Sequence, residues 1–131
     1  MDDTSPLTQR PRSTWWKKLR CAFRGVAWAI RSERSFAVHV AIAVAVVISA
    51  AALGASRLEW CLLVLCITTV LAAELFNSAL EHLARAITRE RNDNIRDALD
   101  TSAGAVLVVA IGAALVGTAI FFNLLVNALD S

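Results

Sequence analysis

The residues best suited to chemistry lie where a long apolar stretch abruptly acquires carboxylates and an amide. They are Glu74, Asn77, Ser78 and Glu81, and the preceding stretch from Trp60 to Ala73 carries no charge. On a helix these positions stand at i, i+3, i+4 and i+7 and therefore share one face. A carboxylate at the centre of a bilayer costs about 2.5 to 3.5 kcal/mol on insertion scales, so we expect Glu74 to serve a function. Such a carboxylate can exchange a proton, and a pair of carboxylates can bind a divalent cation.

The composition indicates a membrane protein. The chain has 131 residues, of which 57% are hydrophobic, and its mean hydropathy is +0.59. It is too apolar for an ordinary soluble domain and too short for two domains, so we expect one membrane module. Cys21, Cys61 and Cys66 form no C-x-x-C pair, and we expect free thiols and neither a disulfide framework nor a zinc site. The net charge of +2 is small, and no nucleic-acid partner is expected.

The N-terminal region is predicted to contain a tail and an interfacial helix. Residues 1–12 combine Asp, Thr, Ser and Pro without periodicity, which predicts a disordered cytoplasmic tail with no cleavable signal peptide. Over residues 13–31, apolar positions such as Trp15 and Phe23 recur at helical spacing, and basic residues take other positions. This pattern predicts an amphipathic helix in the membrane interface, and the alternative is an ordinary basic juxtamembrane segment.

Three apolar runs predict membrane-spanning helices, at residues 36–53, 60–85 and 98–129. The first run is long enough to reach close to the ~30 Å thickness of a hydrocarbon core. A short turn at 54–59 and a polar loop at 88–97 are predicted to connect the runs. Eight basic residues precede the first run and four lie between the second and third, whereas the first hairpin holds only Arg57. By the positive-inside rule, we expect the N-terminus to lie in the cytoplasm and the C-terminus to lie on the opposite side of the membrane.

Three segments, in the same order, resemble one known family. The string ELFNSALE at Glu74 to Glu81 fits the E-x-x-N-[ST]-x-x-E signature of the small prokaryotic diacylglycerol kinase and undecaprenol kinase family. SERSFAVH at Ser32 to His39 and ALDTSAGAVL at Ala98 to Leu107 extend the resemblance over most of residues 20–110. The resemblance implies an all-α integral membrane protein that assembles as a homotrimeric helical bundle with active sites at subunit boundaries. It also implies phosphorylation of a membrane lipid in the bacterial inner membrane, with ATP as the co-substrate.

The resemblance also implies roles for the acidic residues. Glu33 and Glu81 correspond to the glutamates that hold Mg²⁺, and Glu74 corresponds to the proposed general base. Carboxylates suit this role, because Mg²⁺ accepts one or two of them and keeps water and phosphate oxygens in its shell. The chain has no P-loop and no H-R-D or D-F-G motif, so it lacks the motifs that soluble kinases and NTPases use for phosphoryl transfer.

Four residues are expected to contact the nucleotide or position it, namely Asn77, Glu90, Arg96 and Asp100. Asn77, Glu90 and Asp100 follow from the resemblance. Arg96 is included because Leu99 stands where the family commonly has a lysine, and an arginine one turn earlier offers a substitute cation. Arg85 likewise stands where the family often has an aspartate, and we interpret it first as the surface partner of Glu81 at i+4.

Two other functions compete with lipid phosphorylation. A small proton-coupled transporter would use Glu74 as its exchangeable carboxylate, although the chain shows no inverted repeat or broken helix. A kinase-like but inactive membrane scaffold is suggested by Leu99. Within the kinase interpretation both diacylglycerol and undecaprenol are candidate substrates, and the pattern E-R-x-F-x-x-H at Glu33 to His39 is closer to the undecaprenol branch.

Overall fold

A computed structural model describes residues 14–88, 90 and 92–130 of the chain. These residues form four helices, namely α1 (Trp15–Ser32), α2 (Arg34–Ala52), α3 (Arg57–Ile87) and α4 (Asp93–Leu129). Within the described residues every regular element is helical, which confirms the all-α class. The tail predicted at 1–12 lies outside the described residues.

Three of the helices are long and apolar enough to cross a membrane, namely α2, α3 and α4. This confirms the predicted number of candidate spans. Only 11% of the most apolar window of each helix is buried within the chain. Most of this apolar surface is therefore available to lipid or to further copies of the chain.

Glu33 separates α1 from α2. Its backbone is extended, with φ −108° and ψ 109°, so one residue ends the first helix and precedes the second. Its N–H donates to the carbonyl of Ala29 at 2.9 Å, and its own carbonyl accepts from Ala37 at 3.0 Å. The chain thus changes direction without leaving these two backbone groups unpaired. The placement of α1 in the membrane interface stays a prediction.

The last two helices, α3 and α4, begin earlier than the apolar runs that predicted them, because polar residues cap them. Ser56 and Glu59 form a capping box, in which each side chain accepts the backbone N–H of the other, and α3 begins at Arg57 rather than at residue 60. The Oδ1 atom of Asn92 accepts the N–H groups of Asn94 and Ile95 at 3.0 and 3.3 Å. As a result α4 begins at Asp93, five residues before the predicted start at 98.

The turn between α2 and α3 depends on Gly54. This residue has φ +69°, in the left-handed region that glycine adopts without the steric cost of a Cβ atom. The following N–H, of Ala55, donates to the carbonyl of Ala50 at 3.0 Å and closes the end of α2. The turn returns α3 antiparallel to α2.

A small apolar core lies at the end of the bundle that contains this turn. Its buried members are Ala50, Leu63, Ile120 and Leu124. The Nδ2 atom of Asn123 also donates to Glu59 at 3.4 Å and joins α4 to the start of α3. The most extensive helix pairing is that of α3 with α4. This pairing positions the polar face at the opposite end of α3.

Candidate functional site

The polar face of α3 is buried where this helix packs on α4. Glu74 is 3% exposed, Ser78 5% and Asn77 9%, and these are the buried polar residues among those described. Glu81, one turn further along, is half-buried. The helical spacing of these side chains directs them to one side of α3, as expected from a period of 3.6 residues.

Glu74 lies in this face without a polar partner. Among residues 14–88, 90 and 92–130, its carboxylate makes no hydrogen bond and no ion pair. The carboxylate oxygens are not fully enclosed, because every fully buried side-chain oxygen of the described residues has a partner. A largely buried carboxylate without a protein partner is costly, and such groups are usually kept where they perform a function. No described side chain therefore competes with a bound molecule for the Glu74 carboxylate.

Asn77 joins α3 to α4 and holds Glu81. The hydroxyl of Ser102 on α4 donates to its Oδ1 atom at 2.6 Å. Its Nδ2 atom donates to Oε1 of Glu81 at 3.1 Å. The second carboxylate oxygen of Glu81 accepts from Nη2 of Arg85 at 2.9 Å. These three hydrogen bonds form a continuous chain that fixes the orientation of both the amide and the carboxylate.

Glu33 is held at the junction of α1 and α2 by a histidine from α3. Nε2 of His82 donates to Oε1 of Glu33 at 2.5 Å. The His82 ring also packs edge-on against Trp28 of α1, with ring centroids 4.6 Å apart and an angle of 75° between planes. Glu33 is thus tied to the residue next to Glu81 in sequence. The two predicted metal ligands therefore belong to one region of the fold.

Sequence reasoning did not identify His82 or Ser102. A signal for His82 was present, because it stands at i+4 from Ser78 and i+8 from Glu74 and so continues the polar face of α3. Ser102 offered a weaker signal, as a small polar residue in an apolar helix that would seek a hydrogen bond across a helix interface. Neither signal predicts which residue is the partner, because Glu33 lies 49 residues from His82 along the chain and Asn77 lies 25 residues from Ser102.

The predicted nucleotide residues of α4 and the loop are not joined to this face. Arg96 pairs with Asp93 at 3.1 Å and with Asp97 at 3.2 Å, both on its own helix. Asp100 and Glu90 are exposed, and the backbone N–H of Glu90 donates to Oγ1 of Thr88 at 3.0 Å. Among the described residues, no hydrogen bond or ion pair connects these predicted residues to Glu74, Asn77 or Glu81.

The carboxylates of Glu33 and Glu81 fit Mg²⁺ in their chemistry. Both offer oxygen atoms, and Mg²⁺ prefers oxygen ligands and takes few of them from the protein. Asn77 presents its Nδ2 atom to Glu81, so it orients a ligand and is not one itself. The described residues contain no group of three or more His, Cys, Asp or Glu side chains that could hold a metal ion by themselves. The fit is therefore to an ion that draws its remaining ligands from water and phosphate. The three cysteines are free thiols, as expected.

Comparison with known proteins gives consistent matches. The family described as prokaryotic diacylglycerol kinase matches residues 20–121, which include Glu33, Glu74, Asn77 and Glu81. The undecaprenol kinase of Bacillus subtilis (strain 168) is 36% identical over 107 residues, which cover 82% of this chain and 87% of that protein. A diacylglycerol kinase of Synechocystis sp. is 34% identical over 99 residues, which cover 75% of this chain and 57% of that protein.

Proposed function

Because this chain belongs to the prokaryotic diacylglycerol kinase family, we propose that it transfers a phosphoryl group from ATP to the hydroxyl group of a membrane lipid. The observation that carries the proposal is the burial of Glu74, without a polar partner among the described residues, one turn from Asn77. The proposed site of reaction is the cytoplasmic surface of a bacterial membrane, where ATP is present.

In the proposed reaction Glu74 accepts the proton of the lipid hydroxyl while the hydroxyl oxygen attacks the γ-phosphorus of ATP. The bond from that phosphorus to the bridging oxygen of the β-phosphate breaks, and ADP leaves. Its depth supports this role, since the seventeen residues from Arg57 to Glu74 extend about 25 Å along α3. A hydrocarbon core is ~30 Å thick, so a helix entering at Arg57 brings Glu74 close to the opposite headgroups. A lipid hydroxyl lies at that level.

Polar residues of α3 and of other parts of the fold would hold the nucleotide and its metal ion. Glu33 and Glu81 are the proposed ligands of Mg²⁺, which when bound neutralises charge on the phosphates. Asn77 keeps the Glu81 carboxylate in a fixed direction through its 3.1 Å hydrogen bond. Asp100 and Glu90, exposed on α4 and in the loop, remain proposed contacts of the nucleotide.

Undecaprenol is the lipid that we propose first. The undecaprenol kinase matches this chain over 87% of its own length, whereas the chain covers 57% of the diacylglycerol kinase. The E-R-x-F-x-x-H pattern at Glu33 to His39 favours the same branch. Neither the transporter nor the inactive scaffold is favoured, because both relatives are named as kinases.

We propose further that the active form is a homotrimer with a cytoplasmic N-terminus. The apolar surface that α2, α3 and α4 leave exposed supports assembly in the membrane. Small residues that α4 leaves exposed, such as Gly112 and Ala119, allow close approach of a helix from another copy.

A phosphoryl-transfer assay tests the function directly. The purified full-length chain is incubated in mixed micelles with radiolabelled ATP and Mg²⁺, with undecaprenol and diacylglycerol offered separately. Labelled undecaprenyl phosphate, formed faster than labelled phosphatidic acid, is the expected product. Transfer to diacylglycerol alone would correct the substrate, and transfer to neither lipid would contradict the proposed function.

A further inference from the structure

We propose that Arg85 is the residue that binds the terminal phosphate of the nucleotide, an assignment that rests on the proposed function. Phosphoryl transfer develops negative charge on the phosphate oxygens, and a positioned cation stabilises it. The candidate site is rich in carboxylates, so the phosphates of a nucleotide need cationic partners there. The proposed Mg²⁺ is one such partner, and a basic side chain beside the carboxylates would be a second.

Among the described residues, Arg85 is the arginine that pairs with a carboxylate of the site. Its Nη2 atom lies 2.9 Å from Oε2 of Glu81. A guanidinium group carries five N–H donors in a planar fork that matches the geometry of phosphate. The Arg85 side chain is 64% exposed, so donors that Glu81 does not use can reach a ligand.

Arg96 is poorly placed for the same role. Asp93 and Asp97 both pair with its guanidinium, at 3.1 and 3.2 Å. Two carboxylates of its own helix thus oppose its charge, and α4 offers an apolar side chain at Leu99, beside Asp100. The structure therefore moves the expected phosphate-binding cation from Arg96 on α4 to Arg85 on α3.

Arg31 and Arg34 are also close to the site in sequence, since they flank Glu33 at the junction of α1 and α2. Both are exposed. Within residues 14–88, 90 and 92–130, neither forms an ion pair with Glu33, Glu74 or Glu81. Arg85 differs from them because its position is already fixed by a site carboxylate.

A chain of hydrogen bonds that reaches α4 holds the Arg85 guanidinium in position. Glu81 is oriented on its other side by Asn77, whose amide is anchored to Ser102 of α4. The chain of hydrogen bonds therefore places the Arg85 guanidinium relative to both helices before any ligand arrives. A pre-positioned fork loses little side-chain freedom when it binds phosphate. A surface ion pair with no ligand would contribute only a few tenths of a kcal/mol to stability and nothing to nucleotide binding.

The test measures nucleotide binding as well as turnover in the purified full-length chain. Arg85→Gln removes the charge and retains hydrogen-bonding capacity, and Arg85→Lys retains the charge as a single point. Arg57→Ala is the matched control, because Arg57 is an exposed arginine of the same helix at its opposite end. Arg96→Ala tests the competing assignment. Binding of a non-hydrolysable ATP analogue with Mg²⁺ is measured by calorimetry, and KM is measured for ATP and for the lipid.

Arg85→Gln is expected to weaken analogue binding and to raise the KM for ATP about 10-fold or more, as loss of a charge-assisted bond to phosphate requires. The KM for the lipid should stay unchanged, Arg85→Lys should recover part of the affinity, and Arg57→Ala should match the wild type. Wild-type binding by Arg85→Gln, or loss of binding in Arg96→Ala alone, would overturn the assignment. A wild-type chain that binds the analogue through Arg85 but phosphorylates no lipid would contradict the proposed function and leave the assignment standing.

Discussion

At the scale of single residues, the site combines one carboxylate without a polar partner and two that are held in place. Glu74 has no hydrogen-bond or ion-pair partner among the described residues, whereas Glu33 is bound to His82 and Glu81 to Asn77 and Arg85. A proton acceptor must reach a substrate atom, while metal ligands gain from fixed directions. The difference in environment therefore agrees with different roles for the three carboxylates.

Glu74→Gln is expected to lower kcat about 10²-fold or more, the usual effect of losing a general base. Equilibrium binding of the ATP analogue should change little, because glutamine occupies the same volume and no nucleotide contact is assigned to this residue. Single-turnover phosphorylation of the lipid measures the first effect, and calorimetry the second. Near-normal kcat combined with greatly weakened nucleotide binding would make Glu74 a ligand instead of a base.

Glu33→Gln and Glu81→Gln should each abolish most of the Mg²⁺-dependent activity, because an amide binds Mg²⁺ more weakly than a carboxylate does. Assembly should be unaffected, and size-exclusion chromatography in detergent checks it. The dependence of the rate on Mg²⁺ concentration is the measurement. An unchanged Mg²⁺ dependence in both variants would remove these residues from the metal site.

His82→Ala is expected to raise the Mg²⁺ concentration needed for half-maximal rate by 10- to 100-fold, the usual cost of losing a group that orients a metal ligand. The reason is the 2.5 Å hydrogen bond from His82 to Glu33, which sets the direction of that carboxylate. His39→Ala is the control, because His39 is bonded to the carbonyl of Ser35 on its own helix, at 3.0 Å, and to no site carboxylate among the described residues. If the two histidine variants behave alike, His82 does not act through Glu33.

The part of the site that follows a single helix could be predicted from the sequence. Glu74, Asn77 and Glu81 share a face because their spacing matches the helical period, and this needs no knowledge of the rest of the fold. The bonds of Glu33 to His82 and of Asn77 to Ser102 each join residues on different helices. Such contacts depend on how helices pack, which periodicity does not specify.

At the scale of helices, the apolar runs predicted the number of spans, but polar caps set where the helices begin. A prediction from hydropathy begins a span where the charged residues end, so it began the third span at residue 98, after the polar loop at 88–97. Asn92 accepts two backbone N–H groups and starts α4 at Asp93. The added turn carries Asp93, Arg96 and Asp97. Arg96 pairs with both carboxylates, and the negative charge that remains interacts favourably with the dipole at the start of the helix.

The turn between α2 and α3 requires a residue with positive φ at Gly54. Gly54→Ala should lower the free energy of unfolding by about 1 kcal/mol, because alanine at φ +69° is strained. Unfolding in mixed micelles by increasing fractions of sodium dodecyl sulfate measures the change. Gly25→Ala in α1 is the control, since a Cβ atom there meets nothing within 4 Å and its φ is not positive. Equal stability of the two variants would show that the turn tolerates a side chain.

At the scale of the whole molecule, the chain buries little of its apolar surface within itself. The buried apolar core at the turn end consists of Ala50, Leu63, Ile120 and Leu124, and most of the three long helices is exposed. In lipid there is no hydrophobic drive to cover this surface, so association depends on close packing of small side chains. A homotrimer therefore stays a proposal, which cross-linking at low and high detergent ratios can test.

The distribution of basic residues gives the prediction for topology. With eight basic residues before the first span and one in the hairpin between the first and second, α1 and the start of α4 should lie in the cytoplasm.

Single cysteines at Leu58, Asn94 and Asp130 are introduced into a chain in which Cys21, Cys61 and Cys66 are replaced by alanine. A membrane-impermeant maleimide added to intact cells should label positions 58 and 130 but not 94. Inverted vesicles should give the opposite pattern, since the reagent then reaches the cytoplasmic side. Labelling of position 94 in intact cells would place Glu33, Glu74 and Glu81 on the side without ATP, and the proposed kinase could not then operate.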